Sequence, residues 1–297
     1  MTSPLVSVLM CVYNGANLLP FTIESILEQT FTRFECIIVN DGSTDDSLSI
    51  IEKYAAIDDR IKLINKPNSG LINSLNVGLQ ACTCDIVIRH DAEDISHKNR
   101  FEILYNEMLQ RPDVACVATL SFFINTSLQV IGFSPLQPGL DLNEALDKNQ
   151  TKIWHPNVVY RKKDVLSVGG YPNVPHAEDH ALWKLMRQKG LTFFMLRKPI
   201  YAYLKEPTGV SYNNMFTQVK AVVDAGNITT TDDTIAAIVT RNRIRNQYLY
   251  GFPKEIDNQP LFWVMYFKLL AVYQRLLIFK YRSYLKGFTA LKQKQKA

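Results

Sequence analysis

The sequence predicts an α/β fold, with a mostly parallel central sheet flanked by helices and a helical C-terminal extension. Short apolar runs alternate with amphipathic stretches from Leu5 to about residue 120, the pattern of consecutive βαβ units. The runs are near-continuous rather than alternating, as in strands buried on both faces. One of them, Ile86–Ile88, ends in Asp91, Glu93 and Asp94, three carboxylates within four residues. Ligands of open α/β sheets gather outside the carboxyl ends of such strands. Carboxylates this close repel one another unless a cation sits among them. Their oxygens suit a hard divalent ion, Mg²⁺ or Mn²⁺, which also takes substrate phosphates. A solvated acidic loop that caps the next helix is the competing reading.

Leu5–Val12 reads as a central strand, broken by Tyr13-Asn14-Gly15. Asn17 is placed to cap a helix through about Gln29, with Leu18, Leu19, Ile23, Ile26 and Leu27 inward. Phe34–Val39 is a second strand, whose loop Asn40–Asp45 supplies caps for a helix over about 46–54. Ile61–Ile64 is a short third strand, and Asn68-Ser69-Gly70 opens a helix through about Ala81. Asp85–His90 is the fourth strand, Lys98–Leu109 a helix, and Val114–Ala118 a further strand. Val158–Arg161 and Asp179–Gln188 read as a later strand and helix. In a parallel sheet the loops after the first, second and fourth strands share one edge, so Tyr13, Asp41 and the acidic cluster are expected to line one cleft.

The 297 residues suffice for one large domain, or one domain with an appendage. A hydrophobic content of 47% with 21% charged residues is ordinary for a globular protein. The five cysteines form no Cys-x-x-Cys pair, and no signal peptide is read at the N-terminus, so reduced thiols in a cytoplasmic protein are expected and structural zinc is not. The net charge of +5 is uneven. From Arg241 onward lie twelve of the 33 basic residues and two of the 28 acidic ones, leaving 21 and 26 in the body. The body is acidic and would repel a nucleic-acid backbone, so nucleic acid is not an expected partner. No Gly-x-Gly-x-x-Gly follows the first strand and no Gly-x-x-x-x-Gly-Lys-Ser/Thr occurs, so a nucleotide would be held through a metal rather than in a glycine-rich cradle.

Val6-Ser-Val-Leu-Met-Cys-Val-Tyr-Asn14, Ile37-Ile-Val-Asn-Asp-Gly-Ser-Thr-Asp45, Asp91-Ala-Glu-Asp94, Val168-Gly-Gly-Tyr171 and Ala177-Glu-Asp-His-Ala-Leu-Trp183 resemble, in that order, the motifs of the inverting nucleotide-sugar glycosyltransferases of family 2. The similarity spans roughly residues 4 to 205 and implies the GT-A fold, with a catalytic domain over 1–210 and a separate region over 211–297. It also implies residue roles. Tyr13 stacks on the base and Asp41 accepts from it, with Asn14 beside them; Asn40 replaces the usual Asp of an Asp-Asp pair. Asp91 faces the ribose or sugar, Ala92 adjoins it, and Glu93 stands where an Asp more commonly holds the metal. Asp94 holds a metal-bound water or caps the next helix. Asp179, at a helix N-terminus that favours a carboxylate, is the expected catalytic base, with Glu178 as a supporting or acceptor-binding group. His155 borders the donor sugar or is structural. Trp183 offers an acceptor platform or packs in the core.

The extension is read from physics alone. Lys268, Arg275 and Arg282 recur every seven residues on an otherwise apolar, aromatic stretch, Leu261–Phe288. Its longest uncharged run, Asn258–Phe267, is far short of the roughly 20 residues a span needs. The stripe suits a helix in the membrane interface, and equally one packed on the catalytic domain or on a second subunit of a homodimer. The expectation is therefore a cytoplasmic enzyme working at the inner face of the membrane. It would transfer sugar from a nucleotide sugar, most simply a UDP-sugar, to a glycan or lipid-linked acceptor in surface polysaccharide or lipopolysaccharide synthesis. The rivals are a sugar nucleotidyltransferase and a catalytically inactive GT-A scaffold.

Overall fold

The computed structural model describes residues 3–134, 141–148, 153–205, 276, 278–279 and 282–288. The strands, in chain order, are β1 (Val6–Val12), β2 (Phe34–Asp41), β3 (Ile61–Lys66), β4 (Ile86–Asp91), β5 (Ile95–Ser96), β6 (Val114–Ile124), β7 (Val130–Phe133), β8 (Val158–Arg161) and β9 (Thr192–Leu204). The helices are α1 (Leu19–Leu27), α2 (Ser47–Ala55), α3 (Leu71–Ala81), α4 (Arg100–Gln110), α5 (Leu142–Asp147), α6 (Lys162–Leu166) and α7 (Glu178–Gln188). One sheet runs β3-β2-β1-β4-β8-β6-β9-β5, with β7 on β6.

The first four strands are parallel, as the βαβ rhythm predicts. Strand β8 then enters antiparallel between β4 and β6, and β9 returns parallel to β6, so the sheet is mixed beyond its first half. Alternate residues of β1 and β2 feed the two faces. Val8, Met10 and Ile38 pack with Leu19, Ile23, Ile26, Phe101 and Leu104 of α1 and α4. Leu9, Ile37 and Val39 pack with Leu75, Leu79, Leu182 and Met186 of α3 and α7. Each such aliphatic side chain contributes roughly 1.5–3 kcal/mol on burial, and this double-sided core fixes where the strand ends emerge.

Several sequence expectations are corrected. Helix α1 begins at Leu19 behind Leu18, without a side-chain cap, so Asn17 does not start it; Pro20 sits in its first turn, where a missing N–H costs nothing. The cap expected of the Asn40–Asp45 loop is present: Asp45 serves the N-terminal turn of α2, accepting from Ser47 N–H at 3.0 Å. Strand β6 runs six residues past Ala118, and β9 was not foreseen.

The far end of the chain returns to this body. Arg282–Gly287 forms a 3-10 turn, Lys98 N–H donates to Gly287 O at 2.8 Å, and the buried Phe288 ring meets Phe122 and His97 edge-on. The stripe residues Lys268 and Arg275, like the boundary expected near residue 210, lie outside the described residues. Arg282 is exposed, its guanidinium 4.3 Å from the centre of the Phe279 ring. Among the described residues no helix is long and apolar enough to cross a membrane. All five cysteines are free thiols.

Candidate active site

The loops after β1 and β2 are stitched together. Asn14 takes a positive φ of 53°, a conformation Asn tolerates better than most residues, and its Oδ1 accepts from Thr44 N–H at 2.8 Å. Asn14 N–H donates to Ser43 Oγ, Gly15 N–H to Ser47 Oγ and Ala16 N–H to Asp45 Oδ2. The ring of Tyr13 stands 55% exposed at the head of β1, open to a planar partner. Asn40, by contrast, is consumed internally: its Nδ2 donates to Asn65 Oδ1 at 2.8 Å and its Oδ1 accepts from Ser43 Oγ at 2.6 Å. Asp41 ends β2 beside its register partner Lys66, whose Nζ donates to Oδ1, and Ser69 N–H donates to the same oxygen at 2.9 Å. Burial would push this carboxyl up, but the Lys66 and Ser69 hydrogen bonds outweigh it and hold Asp41 below the usual range. Gly42 must be glycine, since its φ is +66° and a Cβ would lie 2.5 Å from Asn68 N.

Strand β4 delivers the acidic loop. Asp91 Oδ1 is 2.6 Å from Nη2 of Arg89, a guanidinium 1% exposed, while the Asp91 side chain keeps 38% exposure. Asp91 N–H donates to Tyr201 Oη at 3.1 Å, and Ala92 O accepts from Thr22 Oγ1 at 2.9 Å. Glu93 is exposed. Asp94 neither caps α4, which starts behind Asn99, nor faces the cleft. It is buried and accepts from Leu204 N–H at 2.7 Å, and burial followed by the Asp91 charge pushes its pKa well up. Among the described residues no group of three or more His, Cys, Asp or Glu could hold a metal by itself. Asp91 and Glu93 are at most two carboxylates. Mg²⁺ and Mn²⁺ are commonly held by one or two, with waters and substrate phosphates completing the shell, so this donor set fits an ion that arrives with a diphosphate.

The second half of the site comes from a different part of the chain. Gly170, at φ +80°, passes so close to α3 that a Cβ would meet Asn76 Oδ1 at 2.6 Å. Asn76 clasps the next residue twice, accepting from Tyr171 N–H and donating to Tyr171 O, each at 2.9 Å. This sets the Tyr171 hydroxyl 2.9 Å from His155 Nε2 and 3.2 Å from Tyr160 Oη. The other nitrogen of His155, Nδ1, lies 3.9 Å from Glu178 Oε1. That exceeds a hydrogen bond, and burial, with Arg89 adding to it, holds the imidazole neutral, so the two are neighbours rather than an ion pair. Glu178 and Asp179 form the first turn of α7, and Asp179 Oδ1 accepts from His180 N–H at 2.7 Å. Asp179 is half-buried; Glu178 is 8% exposed. Burial, and then the adjacent Asp179 charge, raise the Glu178 pKa from 4.5 to about 7, while Arg89 pulls it down and Asp91 pushes it up.

Trp183 is corrected to a core residue. It is 1% exposed, 5.7 Å edge-on to Phe193 and 6.3 Å from the His155 ring, and presents no platform. Arg89 is the site residue the sequence reading missed. Its signal is a charged side chain directly after the apolar Ile86–Ile88 run, on the strand that leads into the acidic cluster.

Residues 7–168 match the family model described as glycosyl transferase family 2. The chain belongs to that family. It is 34% identical over 203 residues to an uncharacterized glycosyltransferase of Haemophilus influenzae, covering 63% of this chain and 61% of the relative. It is 32% identical to a UDP-Gal:alpha-D-GlcNAc-diphosphoundecaprenol beta-1,3-galactosyltransferase of Escherichia coli, over 61% of this chain and 67% of the relative. The chain therefore spans about three-fifths to two-thirds of the length of these two relatives. The solved mannosyltransferase PcManGT of Pyrobaculum calidifontis, in complex with GDP-Man and Mn²⁺, superposes at a TM-score of 0.58 with 17% identity, over 99% of this chain and 87% of that one. The fold is the GT-A arrangement.

Glu178 makes stability depend on pH. Its native pKa lies above its unfolded one, so the native state binds the proton more tightly and the associated stability is fully present below pH 4.5. It is lost as pH rises through about 7. The Glu178→Gln variant should gain relative to the parent between those limits, by up to about 3 kcal/mol. Urea denaturation of both proteins at pH 5 and pH 8 measures this; a constant difference would mean that the Glu178 carboxyl titrates normally.

Proposed function

We propose that this chain is an inverting glycosyltransferase that moves a sugar from a nucleotide sugar, UDP-linked, to a glycan or lipid-linked acceptor in bacterial surface polysaccharide synthesis. The observation that carries the reading is the Asp91 carboxylate at the carboxyl end of β4, 2.6 Å from the Arg89 guanidinium, in a chain that matches the family 2 model. One side of the cleft carries an exposed aromatic ring and an ionised carboxylate, Tyr13 and Asp41, fit to stack on a base and accept from its N–H. The carboxylate pair Glu178–Asp179 stands in the first turn of α7, at a helix N-terminus. Family membership, and the UDP-Gal-dependent, diphosphoundecaprenol-linked reaction named for the Escherichia coli relative, support the donor and acceptor classes and weigh against a nucleotidyltransferase.

In this reading Asp179 takes the proton of the acceptor hydroxyl as its oxygen attacks the anomeric carbon. The bond from that carbon to the diphosphate breaks, the nucleoside diphosphate leaves from the opposite face, and a single displacement inverts the centre. Glu178 lines the acceptor side, and the buried His155 stands behind it, 3.9 Å from its carboxyl. Asp91 and Glu93 would hold a divalent cation, which when bound supplies positive charge to the departing diphosphate.

Asp179→Asn should lower kcat by about 100-fold or more while UDP affinity stays near the parent's. A panel of nucleotide sugars, screened by donor hydrolysis and thermal shift, selects the donor for this assay; undiminished turnover in the variant would remove Asp179 as the base. UDP affinity should rise with Mn²⁺ or Mg²⁺ in the parent and lose that dependence in Glu93→Ala. Calorimetric titration of UDP, with metal and with chelator, reads both, and metal-indifferent binding by the parent would reject the ion.

The basic excess after Arg241 supports a peripheral membrane contact through 261–288. The full chain should co-float with vesicles containing anionic phospholipid and come off in high salt. Failure to float would return the tail to packing on the body or on a second copy.

A further inference from the structure

The reading above pairs Arg89 with Asp91 but gives it no task, and its setting calls for one. It is a buried charge, 1% exposed, on the strand that carries the acidic loop. Nη2 contacts Asp91 Oδ1 at 2.6 Å, Nη1 donates to the His90 carbonyl and lies 3.5 Å from Leu9 O, and Nε has no hydrogen-bond partner. Its main-chain carbonyl is tied by a second buried arginine: Arg100 Nη2 donates to Arg89 O at 2.9 Å and to Pro156 O at 2.8 Å. Arg100 is itself fixed by Ser96 Oγ at 3.1 Å and by the Tyr201 ring, 4.3 Å beneath its guanidinium. The backbone of Arg89 is therefore pinned, and its side chain ends on the one carboxylate of the loop that keeps both burial and solvent contact.

The guanidinium also acts electrostatically beyond Asp91. Its charge acts on His155, Tyr171 and Glu178 on one side and on Asp91 and Cys11 on the other. Lys66, at the end of β3, is taken by Asp41.

We propose that Arg89 is a positioning residue of the site: its buried guanidinium holds the Asp91 carboxylate in the orientation that receives the donor. It does not touch the sugar; it acts through Asp91. The inference rests on the donor reading above, with UDP as the probe.

The test is a double-mutant cycle on Arg89→Met and Asp91→Asn, with Arg89→Lys as the conservative variant, reading UDP affinity by calorimetry and donor KM and kcat separately. Loss of a charge-assisted contact predicts that Arg89→Met weakens UDP binding and raises donor KM by about tenfold or more. Arg89→Lys should recover most of that, and the Arg89→Met change should add little in the Asp91→Asn background. Removing both charges is tolerated far better than removing one, so the double variant should unfold no earlier than Arg89→Met and keeps the cycle measurable if that single variant is unstable. Multiplying losses would overturn the proposal, as would a donor KM unchanged in Arg89→Met or in the double variant relative to the parent. A parent that binds no UDP would instead overturn the donor reading itself, which separates the two failures.

Discussion

Strand β4 is held from both edges in opposite senses, and the site depends on that constraint. Its parallel register with β1 places Asp91 beside Cys11, one residue short of the end of β1, so the acidic loop emerges beside the loop that carries Tyr13. Its antiparallel register with β8 stops at Ile88 opposite Val159. Beyond that point β4 runs past the start of β8, where His155–Asn157 make a short 3-10 turn. Two carbonyls there, Arg89 O and Pro156 O, have lost their ladder partners, and both accept from Arg100. A buried guanidinium thus bridges the end of β4 and the turn before β8. Burying such a charge is costly unless each polar atom finds a partner. Burial lowers the Arg100 pKa to about 10, which leaves it protonated at neutral pH.

The same region crowds acidic groups. Asp94 is withdrawn into the core and answers to Leu204 N–H, so it locks the acidic loop to the end of β9. Asp91 is neutralised by Arg89. Glu178 shares its helix turn with Asp179 and holds its proton to near neutrality. Each carboxylate has been given a different electrostatic partner, and the partners come from strands β4 and β9 and helix α7. The fold separates groups that the sequence places only one to three residues apart.

Much of this was legible beforehand, and the parts that were not share a cause. Strands β1 to β4 announce themselves because both faces are covered, which leaves near-continuous apolar runs such as Leu5–Val12. Strand β9 carries Arg197-Lys198-Pro199 in its middle, where its pairing with β6 shifts register, so no periodicity marks it. Asn17 has the right residue type for a cap and sits two residues before α1, but Leu18 occupies the cap position with its side chain in the core. Trp183 carried two readings, and its neighbours Leu182 and Met186, both fully buried, select the core one. The link between the head of α7 and the end of β4 came from the family resemblance alone, because β8 entering antiparallel between β4 and β6 is a tertiary choice that no local pattern encodes.

Glu178 and Asp179 are adjacent in sequence and differ in environment, and that difference fits the roles proposed for them. A helix N-terminus favours negative charge on both, yet only Glu178 is sunk beside a neutral imidazole and away from water. Its raised pKa makes it a carboxyl that carries a proton near neutrality and can donate a hydrogen bond. Asp179 is half-buried, keeping contact with solvent at the mouth of the cleft. Environments that drive paired carboxyls apart in this way assign one to hold a proton and the other to accept one. With Asp179 as the acceptor of the proton, Glu178 is left to orient the hydroxyl that gives it up.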